Sequence, residues 1–517
     1  TITGTSGGGN GEGIDLDDTA VDRVLAGSGG LILDGRLTNS GGPGVDIRGD
    51  GSNTTIDAIG GSIIIRNGLN GDQGGADDGV QLDDVIMGTN ATSIVFDAST
   101  AGADAITIEA SQIGSSTTEA IQLTGEALNG GSGDDDGIVI GTGVSSLVTS
   151  VTGHVILEAT GFDEGEGLDF SSSANFSITA GSGSSNDGVG IEITATSGDD
   201  GGAGTEIYES TFEAQGGDIS IIAISNGDGD GIYLENNTTI RTLTSGNISL
   251  SGTSVIGDGI ETEGTSNTIS AAGSGTITLN ASTTGNSSGD SGIELQNVSI
   301  SSDTGDITLI GQSGTGRSVD FSEDSVAVTS NSGNILIKGN NIDLNDTANE
   351  IKTNGTLTIE PFDNSFSATF ELTGITISET TSSLTIGNTT NTADVTLGSA
   401  TAIAGPITVY GGDISINAGM NTSAGTTAGD ILLKATGDIA FSGNQSITSD
   451  GGDLILWSDA DGSNAGDIFF DSPTGDFSNP VVISTGGGHL WMGGGSGSTT
   501  WNGLTVGDGY ATGGTAR

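Results

Sequence analysis

Aliphatic residues in this chain recur at every second position in short runs. Gly-Ile-Tyr-Leu at 231–234, Asn-Ile-Ser-Leu at 247–250, Thr-Ile-Thr-Leu at 276–279 and Asp-Ile-Thr-Leu at 306–309 each put two aliphatics on one face of an extended segment. Gly, Asn, Asp and Ser bound these runs; they are the residues that turn a chain or accept positive φ. No 3.6-residue period is sustained. The pattern predicts short β-strands throughout and an all-β fold.

The runs join into a three-beat phrase, clearest between residues 232 and 359. Ile232/Leu234, Ile240 and Ile248/Leu250 form the first. It returns as Ile260, Ile269, Ile277/Leu279; as Ile293/Leu295, Ile300, Ile307/Leu309; as Val319/Phe321, Val326/Val328, Ile335/Ile337; and as Ile342/Leu344, Ile351, Leu357/Ile359. First positions lie 28, 33, 26 and 23 residues apart, a solenoid-sized period whose variation falls in Gly/Ser/Asn tracts such as 280–289. One phrase has too few aliphatics to bury by itself, so it has to stack on a neighbour. The predicted architecture is a right-handed parallel β-helix, a solenoid with about three short strands per coil. At roughly 27 residues per coil and about 4.8 Å between strands, 517 residues would make about 19 coils and a rod of roughly 90 Å.

Upstream, phrases are recognisable from Val45/Ile47 to Ile63/Ile65, from Val80/Leu82 to Ile94/Phe96 and from Leu168/Phe170 to Ile191/Ile193, whereas 104–140 admits two phases. Leu, Ile, Val and Phe total 10 to 13 in each of the first ten blocks of fifty residues, so the core is spread evenly. The texture changes near Pro361-Phe362-Asp363: Gly-Asp-Ile and Gly-Asp-Leu openings replace Asp-Gly-Ile, and all three tryptophans lie at 457, 491 and 501. A boundary within 361–375 is expected, dividing an acidic β-helix over 1–365 from a continuation over 366–517.

Charge sharpens the functional reading. Acids outnumber bases 67 to 10, for a formal charge of −57, which excludes a nucleic-acid or anionic-lipid binder driven by charge. Cysteine is absent, so neither a disulfide framework nor a thiolate site is available. No stretch approaches the roughly 20 apolar residues of a membrane span, and membrane insertion is not expected. The start at Thr1-Ile2-Thr3-Gly4 reads as a mature or excised segment.

Acidic openings are the most suggestive chemistry: Gly11-Glu-Gly-Ile14, Asp77-Asp-Gly-Val80, Asp134-Asp-Asp-Gly-Ile138, Gly227-Asp-Gly-Asp-Gly-Ile232 and Gly257-Asp-Gly-Ile260. Clustered carboxylates suit Ca²⁺, and Asn226-x-Asp228-x-Asp230-Gly231 imitates the start of a calcium loop, although its twelfth position is Asn237 rather than Glu. The plainer reading makes these residues turn-formers whose charges face water. Between Arg66 and Arg241 there is no Lys or Arg, so self-repulsion is greatest there and Ca²⁺ is expected as a counter-ion, with no required cofactor.

Catalysis is the alternative, because polysaccharide-degrading enzymes use β-helices with paired carboxylates. Asp134-Asp135-Asp136 supplies acids, but bases are scarce, and His154 and His489 stand far apart in the sequence. His154, next to Val155-Ile-Leu157, reads as an outward strand residue. Trp457, Trp491, Trp501 and Tyr510 are candidates for a sugar-stacking face, with Trp457 expected to pack on the flank of the coil or cap it. No metal, catalytic or cofactor residues are assigned.

Asp394-Val-Thr-Leu-Gly398, 405–417, Gly429-Asp-Ile-Leu-Leu-Lys-Ala-Thr436, Gly451-Gly-Asp-Leu-Ile-Leu-Trp457 and Gly486-Gly-Gly-His-Leu-Trp-Met-Gly493 resemble the very large cell-surface proteins of Bacteroidota. Those are similar in turn to filamentous-haemagglutinin-type adhesins. The resemblance is best over about 370–512. It implies export by the type IX route, an extracellular or cell-surface location, and a role in adhesion, gliding or matrix. It also implies O-glycans on Asp-Ser/Thr motifs, which match at Thr19, Ser325 and Thr347. The expected protein is a non-catalytic extracellular stalk or adhesin segment; the alternatives are a self-assembling filament or matrix subunit and a polysaccharide-degrading enzyme. Expected partners are the chain itself, end to end or by strand exchange, and cell-surface or matrix polysaccharide.

Overall fold

A computed structural model describes residues 1–6, 12–16, 23–37, 42–49, 53–67, 78–128, 134–141, 145–149, 152–170, 176–181, 188–285, 287–321, 325–425, 429–471 and 480–509. These residues are all-β and form two compact units, Thr1–Val298 and Ser299–Arg517. Each unit is a parallel β-helix, built from the three-beat phrase.

One coil of the first unit shows the construction. An opening strand Ile232–Glu235, a middle strand Thr239–Thr242 and a closing strand Ile248–Ser254 follow one another round the coil. Each pairs in parallel with its counterpart one coil on: Ile232 with Ile260, Ile240 with Ile269, Ile248 with Ile277 and Leu250 with Leu279. All eight of these aliphatics are essentially inaccessible to solvent. Period-two alternation therefore converts directly into columns, because successive side chains of a strand point to opposite faces and only the inward set meets its like above and below. The phase of 104–140 resolves into one coil with Ile106/Ile108, Ile113 and Ile121/Leu123 inward, and a second with Ile138/Ile140, Leu147 and Val155/Leu157.

Closing strands carry a third inward column of small residues, Ala195, Ala223, Gly252 and Ala281. This column lies where the chain rounds the corner into the next coil. A Cβ added at Gly252 would overlap the carbonyl oxygen of Gly259, so the corner admits no larger side chain at that tier. The widest inward residues sit at another level: Phe170 packs, with its ring tilted, against Phe176 and Phe212 at ring-centroid distances of 4.9 and 5.2 Å.

The turn from opening to middle strand buries polar side chains in aligned positions. Asn267 is 1% exposed, accepts the Thr238 N–H at 3.1 Å, and donates to the carbonyls of Glu263 and Leu234 at 2.7 and 3.3 Å. In the second unit Asn349 repeats the arrangement, accepting from Val326 N–H and donating to Phe321 and Leu344. A chain that turns inside its own stack would otherwise leave these backbone groups without partners.

In the second unit the closing ladder passes from Ile307–Ser313 through Ile335–Lys338 and Thr356–Glu360 to Leu454–Trp457 and Leu490–Trp501. The opening ladder changes: Val319–Asp320 pairs with Ile342–Asp343, whereas Phe370–Leu372 starts a new series with Val395–Leu397 and Ile414–Ile416. That change falls inside the second unit, beside the altered sequence texture at 361–375, while the compact units divide at 298/299. The unit finishes in an antiparallel hairpin, Leu490–Trp501 against Leu504–Gly509. Val506 lies on the outer face of the closing sheet with Trp457 and Ile455; the Trp457 ring donates its N–H to the Gly495 carbonyl at 2.8 Å and carries the Lys434 ammonium 3.9 Å above its centroid. Replacing Val506 with Asp is expected to cost about 2–3 kcal/mol by burying a charge against the ring and to shift tryptophan emission to longer wavelength.

Candidate functional site

At several openings a backbone N–H one or two residues before a strand enters the ladder from a turn, and a side-chain oxygen one coil earlier accepts it. Asp104 accepts the Asp136 N–H at 3.0 Å, and Asp136 accepts that of Glu166 at 2.6 Å. Farther along, Asp230 accepts from Asp258 at 2.6 Å, and Asp258 accepts from Ser291. The same rung recurs before closing strands from Asp218 to Asn247 to Thr276 and, before the opening strands of the second unit, from Asp413 to Asp438 to Asp467. Asp136, Asp230 and Asp258 of these acidic openings are thus structural rungs, while Asp228 stays exposed. The expectation that their charges simply face water is corrected: Asp136 and Asp258 are 6% and 7% exposed, because the carboxylate that clamps the next tier is covered by it.

Stacking these rungs at one corner of the first unit brings carboxylates together. Oxygen atoms of Asp230, Asp258 and Glu261 lie within 4.8 Å of one another. Burial pushes the Asp258 carboxyl up to about 8, opposed by the Ser291 N–H and reinforced by the charge of Asp230. Burial, then the charge of Asp230, pushes Glu261 up to about 10; burial also raises Asp230. Two coils of the same corner repeat the effect, with Asp136 pushed up to about 10 by burial and by Glu166, and Asp104 to about 7 chiefly by burial. Asp136 is hydrogen-bonded to Glu166, and Asp230 to Glu261; burial of Asp230 and Glu261 together favours a proton held between those two.

A second group lines an open depression of about 480 Å³ formed by Glu164, Glu166, Asp200, Gly201 and Asp228. Asp228 and Asp230, two residues apart in the calcium-loop imitation, therefore belong to different carboxylate groups, and Asn226 donates its amide N–H to the Ser197 carbonyl at 2.9 Å. The stretch does not wrap a single centre. What the corner offers is hard oxygen ligands at the separation a Ca²⁺ shell tolerates, with several already engaged by backbone N–H groups.

The other sequence candidates are dispersed. His154 begins the strand His154–Thr160 in the first unit at an outward position. His489 lies in the second unit, where its Nδ1 is 2.9 Å from Asp453 Oδ1; the His489 backbone N–H holds the Asp453 carboxyl below its ordinary value. Trp457 is buried under the hairpin, Trp491 meets it edge-on at 6.3 Å, and Trp501 packs edge-on against His489 at 5.5 Å. Tyr510 and Thr19 lie outside the described residues, as does Asp324. Ser325 and Thr347 are both exposed, in the turn between opening and middle strands of successive coils. Sequence reasoning missed Glu261 as a member of the corner. Its signal was the alternation Ile260-Glu261-Thr262, which points the carboxylate outward beside the Asp258 rung.

No family model, no curated protein and no solved structure matches this chain.

Proposed function

We propose that the chain is a non-catalytic structural or adhesive segment of a large extracellular bacterial surface protein. The observation that carries this reading is threefold clamping of tier to tier. Aliphatic columns, continuous backbone ladders and carboxylate or amide rungs all act between the same neighbouring coils. Such a stack resists separation along every face and leaves outward turns free to vary in length and chemistry, the division of labour an adhesive scaffold needs. Neutral or basic polysaccharide at the cell surface or in the matrix is the partner class compatible with a charge of −57.

The test is binding of the purified chain to cell-surface and matrix polysaccharides, with turnover followed in parallel with and without calcium. Retention without release of new sugar ends supports the reading; release of reducing ends or unsaturated sugars overturns it in favour of an enzyme. In this reading Ca²⁺ is a counter-ion to the acidic corner and no resident cofactor is needed. Millimolar calcium at pH 8 is expected to raise the melting temperature more than magnesium does, since the larger ion accepts irregular oxygen shells. Equal melting curves with and without calcium would remove the counter-ion role. O-glycans at Ser325 and Thr347 belong to the same reading, and an intact mass equal to that of the bare polypeptide in natively secreted material would exclude them.

A further inference from the structure

One closing strand of the first unit carries aliphatics on its outer face. Ile222 and Ile224 are 44% and 39% exposed, and Val255 and Ile256, one tier on, are 44% and 49% exposed. The fold does not require them: Ile222 lies between Thr194 and Ser251 of the adjoining tiers, and Ile224 between Thr196 and Thr253. The apolar line runs into the carboxylate depression. Ile222, Ile224, Asn226 and Asp228 are exposed in alternation with buried Ile221, Ala223, Ser225 and Gly227, and Asp228 lines the depression with Glu164, Glu166 and Asp200. No ion pair among the described residues involves any of these four acids, and the chain has no Lys or Arg between Arg66 and Arg241. The second unit shows what fills such a face. Its outward Ile455 and Trp457 are covered by the return strand of the hairpin, through Val506 and Leu504.

We propose that this face docks an extended basic segment of another protein, with aliphatic side chains over Ile222, Ile224 and Val255 and a lysine or arginine in the depression beside Asp228. Charge complementarity selects the occupant. Carboxylates without a cationic partner in their own chain attract a positive group, whereas a second copy of this chain brings a charge of −57 and is repelled. The aliphatic line selects polypeptide over polysaccharide, because sugar hydroxyls laid on Ile222, Ile224 and Val255 would lose water without gaining hydrogen bonds. An extended segment alternates its side chains, so its positions i, i+2, i+4 and i+6 lie over Ile222, Ile224, Asn226 and Asp228 in turn. Two apolar residues followed by two basic ones on one face of a strand therefore match the line. Aliphatic contact gives the site its selectivity, and the acids speed encounter and make it sensitive to salt. This interaction goes beyond the polysaccharide reading and does not rest on it.

The probe is a fluorescently labelled peptide, Leu-Ser-Leu-Ser-Lys-Ser-Lys, titrated with the full chain and followed by anisotropy at about 0.01 M and about 0.15 M salt, where the Debye length is about 30 and 8 Å. It is expected to bind at least roughly tenfold more tightly than the same peptide with both leucines replaced by serine, as loss of apolar anchors predicts. Ile222→Ser with Ile224→Ser, which places at both positions a side chain of the kind the adjoining tiers carry, leaves the melting curve unchanged and removes that difference. Asp228→Asn, at an exposed position, weakens both peptides and reduces their dependence on salt. Equal affinity for the two peptides, binding unaltered by the isoleucine substitutions, or no binding at low salt would overturn the proposal. A glucosamine oligomer that binds more tightly than the leucine peptide and is weakened by the same substitutions would make the occupant a basic polysaccharide and overturn the polypeptide assignment. Peptide binding without retention of polysaccharide would leave the docking face standing and remove the polysaccharide partner.

Discussion

Lowering the pH from 9 to 6 at constant ionic strength is expected to raise the melting temperature of this protein. Five groups carry the effect: Asp136 and Glu261 pushed up to about 10, Asp258 to about 8, and Asp104 and Glu206 to about 7, in each case chiefly by burial. Their ordinary values are 3.8 for Asp and 4.5 for Glu. Between those values and the folded ones the native state holds more protons than the unfolded chain, so stability falls as pH rises and is regained as pH drops through 10 to 7. A tenfold difference in one group's proton affinity between folded and unfolded chain corresponds to about 1.4 kcal/mol. Several such groups, at roughly 2–4 °C per kcal/mol for a cooperative unit of about 150–250 residues, give a rise of roughly 5–10 °C. The gain has a lower limit. A hydrogen bond from the Arg36 guanidinium holds Asp34 below its ordinary 3.8, a contribution present above that value and lost as pH falls through the lower folded one. Maximum stability is therefore expected between about pH 4 and 6. Circular-dichroism melts across this range check it. Asp258→Asn with Glu261→Gln keeps acceptors for the backbone and is expected to flatten the profile; a profile that is flat or rises with pH in the parent chain would refute the buried acidic corner.

The same corner separates what is legible in the sequence from what is hidden there. Ile232 and Ile260 are 28 residues apart, and so are Asp230 and Asp258, so stacking the aliphatics stacks the acids without further information. The columns are legible because an inward position in a parallel coil tolerates little except an aliphatic, and that demand repeats at every tier. Polar residues read as turn material, since Asn, Asp and Gly favour turns whatever they contact. Asn267 and Asn349 are buried ligands of the backbone, and nothing local distinguishes them from the exposed Asn237. Gly252 reads as punctuation yet lies within a seven-residue strand, and the Gly-rich run 493–497 reads as a loop yet is part of a hairpin strand. In each case the deciding neighbour is a coil away, outside any window of consecutive residues. The ambiguity over 104–140 has the same origin: Ala105, Ala120 and Gly125 suit either face, and pairings a coil away, such as Ile106 with Ile138 and Ile121 with Val155, fix the phase.

Replacing Asn267 with Leu is expected to destabilise the first unit by about 2–4 kcal/mol, more than removal of any exposed ion pair, although leucine is close in volume and more apolar. The side chain satisfies three backbone groups: the Thr238 N–H and the carbonyls of Leu234 and Glu263. The Glu263 carbonyl keeps the Asn236 N–H, but the Thr238 N–H and the Leu234 carbonyl lose this partner at about 1–3 kcal/mol each, and the added transfer free energy of a leucine returns part of that. By contrast Arg241, whose guanidinium is paired with Glu213 at a largely exposed position, is expected to cost less than about 1 kcal/mol on truncation to Ala. Asn267→Asp discriminates between the contributions: it keeps the acceptor for Thr238, loses both donated bonds and adds a buried charge, so it is expected to be at least as damaging as leucine at pH 8 and to recover on acidification. Hydrogen exchange supplies the spatial check. Because each coil contacts only its neighbours, lost protection is expected in the strands Ile232–Glu235, Thr239–Thr242, Ile260–Glu263 and Asn267–Ala271 and to decay over one or two tiers on either side. Uniform loss of protection through the whole unit would mean that the tiers unfold as one body, and a loss below about 1 kcal/mol would mean that water replaces the amide at no cost.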